Sequence, residues 1–228
     1  MPVGVLGEVR RQALKKISDS LQENVHELKN ILHADKNFDL IYREQKLGDK
    51  DAGFFFIDGF IKDTIMERLL KSFSDLKDTD IPANAGEFSD KYIPYVEVDL
   101  LDDVEDIVTA VLSGVACYFV DGYSECMAID CRTYPMRSVD EPWKDRVLRG
   151  SRDGFVETIV SNVALIRRRI RDPRLCVEIL HAGIKSRTDI SVAYLEGVAD
   201  MKLLRKIKDK IEQLDVEALT MNIESLAE

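Results

Sequence analysis

Five arginines crowd into eight residues of this chain: Arg167, Arg168, Arg169, Arg171 and Arg174. A guanidinium is a planar fork of donors that meets phosphate or carboxylate oxygens two at a time. Spacing limits what the cluster can do. Each step along a helix turns the side chain by about 100°, so three in a row fan over roughly 200° and cannot all face one partner. Some must pair locally, with acids such as Asp172 and Glu178. A second anion-binding candidate lies upstream. Gly150-Ser-Arg-Asp-Gly154 stands just before a helical pattern, where free N–H groups and Arg152 can cradle an anion. The plainer reading of that turn is a helix N-cap with Arg152 in an ion pair. Together these stretches give the candidate ligand-binding or subunit-interface residues: Arg149, Gly150, Arg152, Asp153, Gly154, Arg167, Arg168, Arg169 and Arg187.

No catalytic constellation accompanies them. The chain has no G-x-S-x-G elbow, no H-E-x-x-H pair and no Walker-type loop. His26, His33 and His181 are dispersed, and Cys117, Cys126, Cys131 and Cys176 form no C-x-x-C pair, so no metal site is expected. The cysteines are expected to be buried and reduced. Asp58 and Glu196 precede Gly59 and Gly197 at strand-to-helix turns. Acid–base work would need the two carboxyls close together with their pKa values driven apart. Their equivalent places in separate parts of the chain point instead to a shared structural role, each accepting N–H bonds from the helix that follows. With Asp121 and Gly122 they are the candidate structural turns. The expectation is a protein that is not an enzyme and uses no cofactor.

A net charge of −10 argues against nucleic acid as a partner. The charge is uneven: from Arg132 to Arg187 there are 13 Lys/Arg against 7 Asp/Glu, or +6 locally. A basic patch on an acidic body fits a solvated face, or a docking face for an acidic partner, a lipid or another copy. The longest uncharged run, Ile107 to Val120, has 14 residues, short of the ~20 that span a bilayer. The N-terminal MPVGVLGEVRRQ lacks the apolar core of a signal peptide. The fragment is expected to be soluble and cytosolic.

The elements that would position these residues come partly from an internal repeat. At an offset of 138, the stretch beginning at Asp39 aligns with that beginning at Val177: Ile41 falls on Ile179, Asp58 on Glu196, Gly59 on Gly197 and Leu69 on Ile207. Both copies read strand, tight turn, strand, acidic-Gly, helix, the pattern of a duplicated unit. The first copy continues through a Pro/Asn/Gly loop from Asp80 to Asp90, a strand from Tyr95 to Asp99, a helix capped by Asp102 or Asp103, and an apolar strand from Val115 to Val120. The Asp121-Gly122 hairpin signal and a return strand from Cys126 to Cys131 complete it. Two helices stand outside the repeat. Leu14, Ile17, Leu21, Val25, Leu28 and Leu32 form one apolar stripe. Phe155 to Arg171 forms the other, capped by Ser151 or Asp153 and stopped at Asp172-Pro173. A last helix is expected over Val216 to Leu226. The fold class is α/β (α+β): two small related lobes with mixed sheets flanked by helices, after an N-terminal amphipathic helix. The expected division is 1–36 N-terminal helix, 37–134 first lobe, 135–154 linker and 155–228 second lobe.

The order of parts in Arg137–Asp200 carries a resemblance. EP-x-x-x-x-V-x-RG from Glu141, the Gly-Ser-Arg-Asp-Gly-Phe turn, RRRIRDP, and paired strands closing on Tyr-Leu-Glu-Gly resemble the N-terminal soluble domain of the GerA family, the A-type subunits of spore germination receptors. The run VDGY…AIDCRTYPMRS and Ser151 in place of the usual proline bring it closest to the stage V sporulation AF branch. The resemblance implies a domain on the cytoplasmic side of the inner spore membrane, preceding a helical membrane region. It also implies ring-like channel oligomers that work with other germination-receptor or spoVA-encoded membrane subunits. On this reading the chain stops inside its second lobe, leaving a sheet edge open, and serves oligomer assembly and gating. The alternative is a hinge-type sensor closing on a small molecule through Arg149, Arg152 and Arg187.

Overall fold

The computed structural model describes residues 15–93, 96–134, 154–214 and 217. The chain enters extended: the Ile17 N–H donates to Asp102 and the Val104 N–H to Lys15. Helix α1 (Leu21–Ile31) then starts at Ser20, whose side chain accepts from the Glu23 N–H. The apolar stripe therefore overran the helix. Ile17 belongs to the extended entry, because Ser18-Asp19-Ser20 cap and turn the chain before helical geometry begins. A one-turn 3-10 helix (Ala34–Lys36) leads into the hairpin β1 (Leu40–Leu47) and β2 (Lys50–Ile57), closed by the two residues Gly48 and Asp49. Gly48 has φ +56°, as such a tight turn demands.

Helix α2 (Asp63–Ser74) follows, and then α3 (Ala85–Tyr92) forms inside the stretch expected to be loop. Its Asn84 cap accepts from the Glu87 N–H, so a residue that reads as a turn marker is a helix start. Next come β3 (Val98–Leu101), α4 (Val104–Leu112, capped by Asp103), β4 (Ala116–Val120) and β5 (Cys126–Ile129). The spatial order is β1-β2-β4-β5-β3, and every neighbouring pair is antiparallel. This corrects the mixed-sheet expectation: the crossovers through α2–α3 and α4 land each strand beside an antiparallel neighbour. Helices lie on both faces. Phe55, Ile57, Cys117 and Phe119 pack with α1 and α4, while Phe54, Tyr118 and Val120 pack with Met66, Leu69 and Phe73 of α2 and Phe88 of α3. Strands covered on both sides need continuous apolar sequence, which β2 and β4 have.

The Tyr118 hydroxyl sits in this second layer with no hydrogen-bond partner among the described residues. Burial pushes its pKa upward. An orphaned buried hydroxyl costs about 1–3 kcal/mol. Tyr118→Phe is therefore expected to raise stability by about 1 kcal/mol in urea unfolding, and a loss of that size would show that a hidden partner exists.

The second lobe opens with α5 (Ile159–Arg169), whose N-cap is Thr158. Ser151 and Asp153, the expected caps, lie outside the described residues. The helix starts later than expected because the Asn162 side chain ties back to both backbone groups of Val156, holding that segment in a turn. Strands β6 (Leu175–Ala182) and β7 (Thr188–Leu195) form a two-stranded antiparallel sheet, followed by α6 (Met201–Glu212). The helix expected over Val216 to Leu226 falls outside the described residues, apart from Glu217.

The repeat is present in three dimensions with one correction. Strand β7 and helix α6 sit at offset 138 from β2 and α2, but β6 sits at offset 135 from β1. The hairpin loop of the second copy has five residues, Gly183 to Arg187, against two in the first. Ile41 is thus matched by Cys176, not Ile179. Equivalent hydrogen bonds fix the alignment: the Asp58 N–H donates to Asp39 O, and the Glu196 N–H to Arg174 O.

Candidate functional site

Of the clustered arginines, Arg167 is the one folded inside, at 2% exposure. Its position is dictated by helix phase. It follows Val163 by four residues and Ala164 by three, so it continues the face of α5 that the lobes cover. Val163 packs with Leu175, Val177 and Leu195 of the second lobe and with Phe38, where the first lobe meets it, whereas Ala164 joins the core of the first. Helix α5 is thus a wedge with one flank on each lobe. A Cβ added to Gly59 would lie 3.0 Å from Val160 and 3.3 Å from Ala164, a measure of how closely the wedge fits.

At the centre of the wedge Arg167 forms a fork-to-fork pair with Asp39, which is fully buried at the mouth of β1. Nε donates to Oδ2, and Nη2 to Oδ1 at 2.8 Å. Nη2 also donates to Asn37 Oδ1 at 2.6 Å, and Nη1 to Leu175 O at 3.2 Å. Asn37 is fully used. Its Oδ1 also accepts from the Val177 N–H, and its Nδ2 donates to Leu32 O and His33 O behind α1. The Phe38 N–H completes the joint by donating to Val177 O at 3.2 Å. Asn37–Val177 is the one parallel bridge recorded among the described residues. One network therefore joins α1, β1, α5 and β6. A buried charge of this kind is tolerated because each of its polar atoms has a partner.

A second, more exposed cluster stands beside it. Lys36 Nζ lies 2.7 and 2.9 Å from the two oxygens of Glu196, His33 Nδ1 is 3.5 Å away, and the Cys176 thiol donates at 3.5 Å. The Lys36 hydrogen bond holds the Glu196 carboxyl below its ordinary range. Burial pushes the Cys176 thiol up to about 11, which makes it inert as a nucleophile. All four cysteines are free and buried. The role expected for Asp58 and Glu196 is corrected here. Asp58 accepts from its neighbour Gly59 at 2.9 Å, α6 is capped by Asp200, α2 has no side-chain cap, and Glu196 reaches Lys36 at the end of the 3-10 helix Ala34–Lys36. The helices start four residues past the glycines, out of reach of those carboxylates.

The other arginines separate as the helix phase requires. Arg168 lies over the Tyr134 ring at 4.8 Å, Arg171 donates to Ser113 Oγ at 3.3 Å, and Arg174 pairs with Asp172. Arg169 is also engaged. Glu178, expected as an arginine partner, instead accepts from Lys208 and Tyr194. Gly154 is exposed, and Arg149, Gly150, Arg152 and Asp153 lie outside the described residues. Arg187 has φ +43° at the tip of the β6–β7 hairpin, roughly 23 Å along the strands from the Arg167 end. Asp121 and Gly122 close the β4–β5 hairpin and also hold α1: Asp121 Oδ1 accepts from the Leu21 N–H, and the Gly122 N–H donates to Asp19 O. The sequence reading missed Asn37, Asp39, His33 and Lys36. The available signal was Asp39 before an apolar strand and Arg167 in phase with Val163.

Burial raises the Glu178 carboxyl, but the hydrogen bonds from Lys208 and Tyr194 outweigh it, leaving the group below its ordinary 4.5. A carboxyl lowered in the folded state stabilises fully above its unfolded pKa, and that contribution fades as pH falls through the folded value. Stability is therefore expected to decline below about pH 4.5, less steeply in Lys208→Met. A carbon-13 titration of Glu178 checks this, with a midpoint below 4.5 in the parent and a higher one in the variant.

Among the described residues no group of three or more His, Cys, Asp or Glu side chains is placed to hold a metal ion, and no helix is long and apolar enough to cross a membrane. Open grooves lie along residues 79–91, 43–76 and 181–214, each within one lobe.

Comparison with known proteins places this architecture. The family described as Bacillus/Clostridium GerA spore germination protein matches residues 26–228. The chain is 35% identical over 206 residues to stage V sporulation protein AF of Bacillus subtilis, covering 87% of the chain and 41% of that protein. It is 29% identical over 207 residues to spore germination protein KA of the same organism, covering 89% and 38% respectively. The chain thus spans about two fifths of these relatives. Among solved structures, the N-terminal domain of the A subunit of the Bacillus megaterium spore germinant receptor GerK3 superposes with a TM-score of 0.71 at 23% identity, over 95% of this chain and 81% of that one. That likeness concerns the fold.

Proposed function

The chain belongs to the GerA family of spore germination proteins, and on that premise we propose that it is a non-catalytic module for oligomer assembly and gating of a germination ion channel or receptor. The observation that carries this reading is the buried Arg167–Asp39–Asn37 joint. Two lobes bolted through fully paired charges move together, so a displacement imposed on one reaches the other. A hinge that closes on a small molecule would need this joint to open, which leaves a buried charge unpaired.

In this reading residues 37–134 and 155–228 are the lobes, 135–154 link them, and 1–36 brace the first. The full-length protein sits in the inner spore membrane through a C-terminal region, with this module on the cytoplasmic side. Its partners are further copies of itself and other germination-receptor or spoVA-encoded membrane subunits, with no nucleic acid and no cofactor. The exposed apolar residues Val198, Met201, Leu203 and Ile207 of the second lobe supply contact surface. Light scattering coupled to size exclusion is expected to give a mass rising with concentration above the 25.9 kDa of one chain. In spores, Arg167→Met in the full-length protein is expected to slow germination. A strictly monomeric chain together with unaltered germination would overturn the proposal.

A further inference from the structure

The clustered arginines around α5 are all engaged, and the free cations gather on α6 instead. Leu204 and Ile211 turn one side of this helix to β6 and β7, and Lys208 pairs with Glu178 on that side. Lys202, Lys206 and Lys210 recur every four residues on the opposite side, a row about 12 Å long, with Arg205 beside it. All four are exposed, and no ion pair is recorded for them among the described residues. Like charges four residues apart repel and weaken a helix, so the row works against the stability of α6. The first lobe shows what the fold alone requires here. At offset 138 the equivalents of the lysines are Thr64, Arg68 and Ser72, and that of Arg205 is Glu67, a set with no net charge. These four are exposed too, although β3 to β5, α3 and α4 complete that lobe. A chain segment completing the second lobe in the same way would therefore leave the lysine row in solvent.

We propose that the row Lys202–Lys206–Lys210, with Arg205, is a docking face for an anionic lipid bilayer, its ammonium groups meeting headgroup phosphates. Composition favours a bilayer over a polypeptide. Protein interfaces are depleted in lysine and enriched in aromatic residues and arginine, whereas this face has three lysines, one arginine and no aromatic residue. Lysine is a compact charge with freely rotating donors, which suits mobile headgroups better than carboxylates in fixed places. Charge also sets the orientation. The chain as a whole carries −10. An anionic surface therefore repels its other faces and attracts this one, within roughly 10 Å at ordinary ionic strength. On the membrane placement proposed above, this is the face that the module turns to the bilayer, apart from any contact between copies.

The test is co-sedimentation of the chain with vesicles of equal parts phosphatidylglycerol and phosphatidylcholine. Binding is expected, weakening as salt rises, with none to phosphatidylcholine alone. The joint variant Lys202→Gln/Lys206→Gln/Lys210→Gln, altered only at exposed positions, should bind about 100-fold more weakly, since each cation near such a surface is worth about fivefold. Asp209→Asn removes an acid from the same exposed side of α6 and should bind about fivefold more tightly. Equal binding to neutral vesicles, binding unchanged in the joint variant, or no binding overturns the proposal. So does binding to immobilised polyglutamate without binding to the vesicles, which assigns the row to an acidic polypeptide. A chain that ignores the vesicles while its mass still rises with concentration sinks the lipid face and leaves the assembly reading standing. Vesicle binding by a strictly monomeric chain, with germination unaltered in Arg167→Met, does the reverse.

Discussion

Arg167→Ala is expected to cost about 3–5 kcal/mol of folding stability, the largest loss from any single substitution outside the apolar cores. The reason is what remains behind. Asp39 is fully buried, and among the described residues Arg167 is the donor recorded to both of its carboxylate oxygens. Asn37 loses one of its donors and Leu175 O its side-chain donor. Arg167→Lys should recover only part, since an ammonium cannot span both carboxylate oxygens and Asn37 at once. The paired change Arg167→Met/Asp39→Leu removes both charges and should regain most of the loss. Urea unfolding of the four proteins measures this. If the double variant is no better than Arg167→Ala, the penalty does not come from an uncompensated charge.

The second large effect is at Gly59, and the repeat supplies its control. Gly59 and Gly197 hold the same left-handed conformation, at φ +83° and +76°. Alanine pays about 1–2 kcal/mol for that conformation at either site. Only at Gly59 does the new Cβ also meet the wedge helix, at 3.0 Å from Val160 and 3.3 Å from Ala164, while Gly197 has nothing within 4 Å. Gly59→Ala is therefore expected to cost about 2–4 kcal/mol, and Gly197→Ala about half that. Thermal unfolding of the two single variants gives the difference. Equal losses would mean that α5 yields easily and does not clamp the first lobe.

Much of the scaffold was legible because its signals are local. The apolar runs of β2 and β4, an aspartate cap at 102 or 103 and the strand–turn–strand–helix repeat each depend on neighbours in sequence, and each is in the structure, the cap at Asp103. Failures came where a distant contact or a cap outweighed the local pattern. Ile17 fits the helical stripe, yet pairing with Asp102 holds it extended. Asn84 reads as loop, yet caps α3. The offset of 138 held for β7 and α6 and slipped by three at β6, because loop length is not written in strand periodicity. The arginine cluster was visible, but its one buried member was not. Choosing Arg167 requires knowing that Asp39, far away in sequence, points into the same joint.

The two lobes are expected to behave as one body through the Arg167–Asp39–Asn37 joint. Hydrogen exchange of the chain across a denaturant series tests it most directly, comparing amides of β2 and β4 with those of β6. One shared opening transition is expected for all three strands, split into two in Arg167→Met, with β6 opening first. Opening of β6 well before β2 and β4 in the unaltered chain would contradict it.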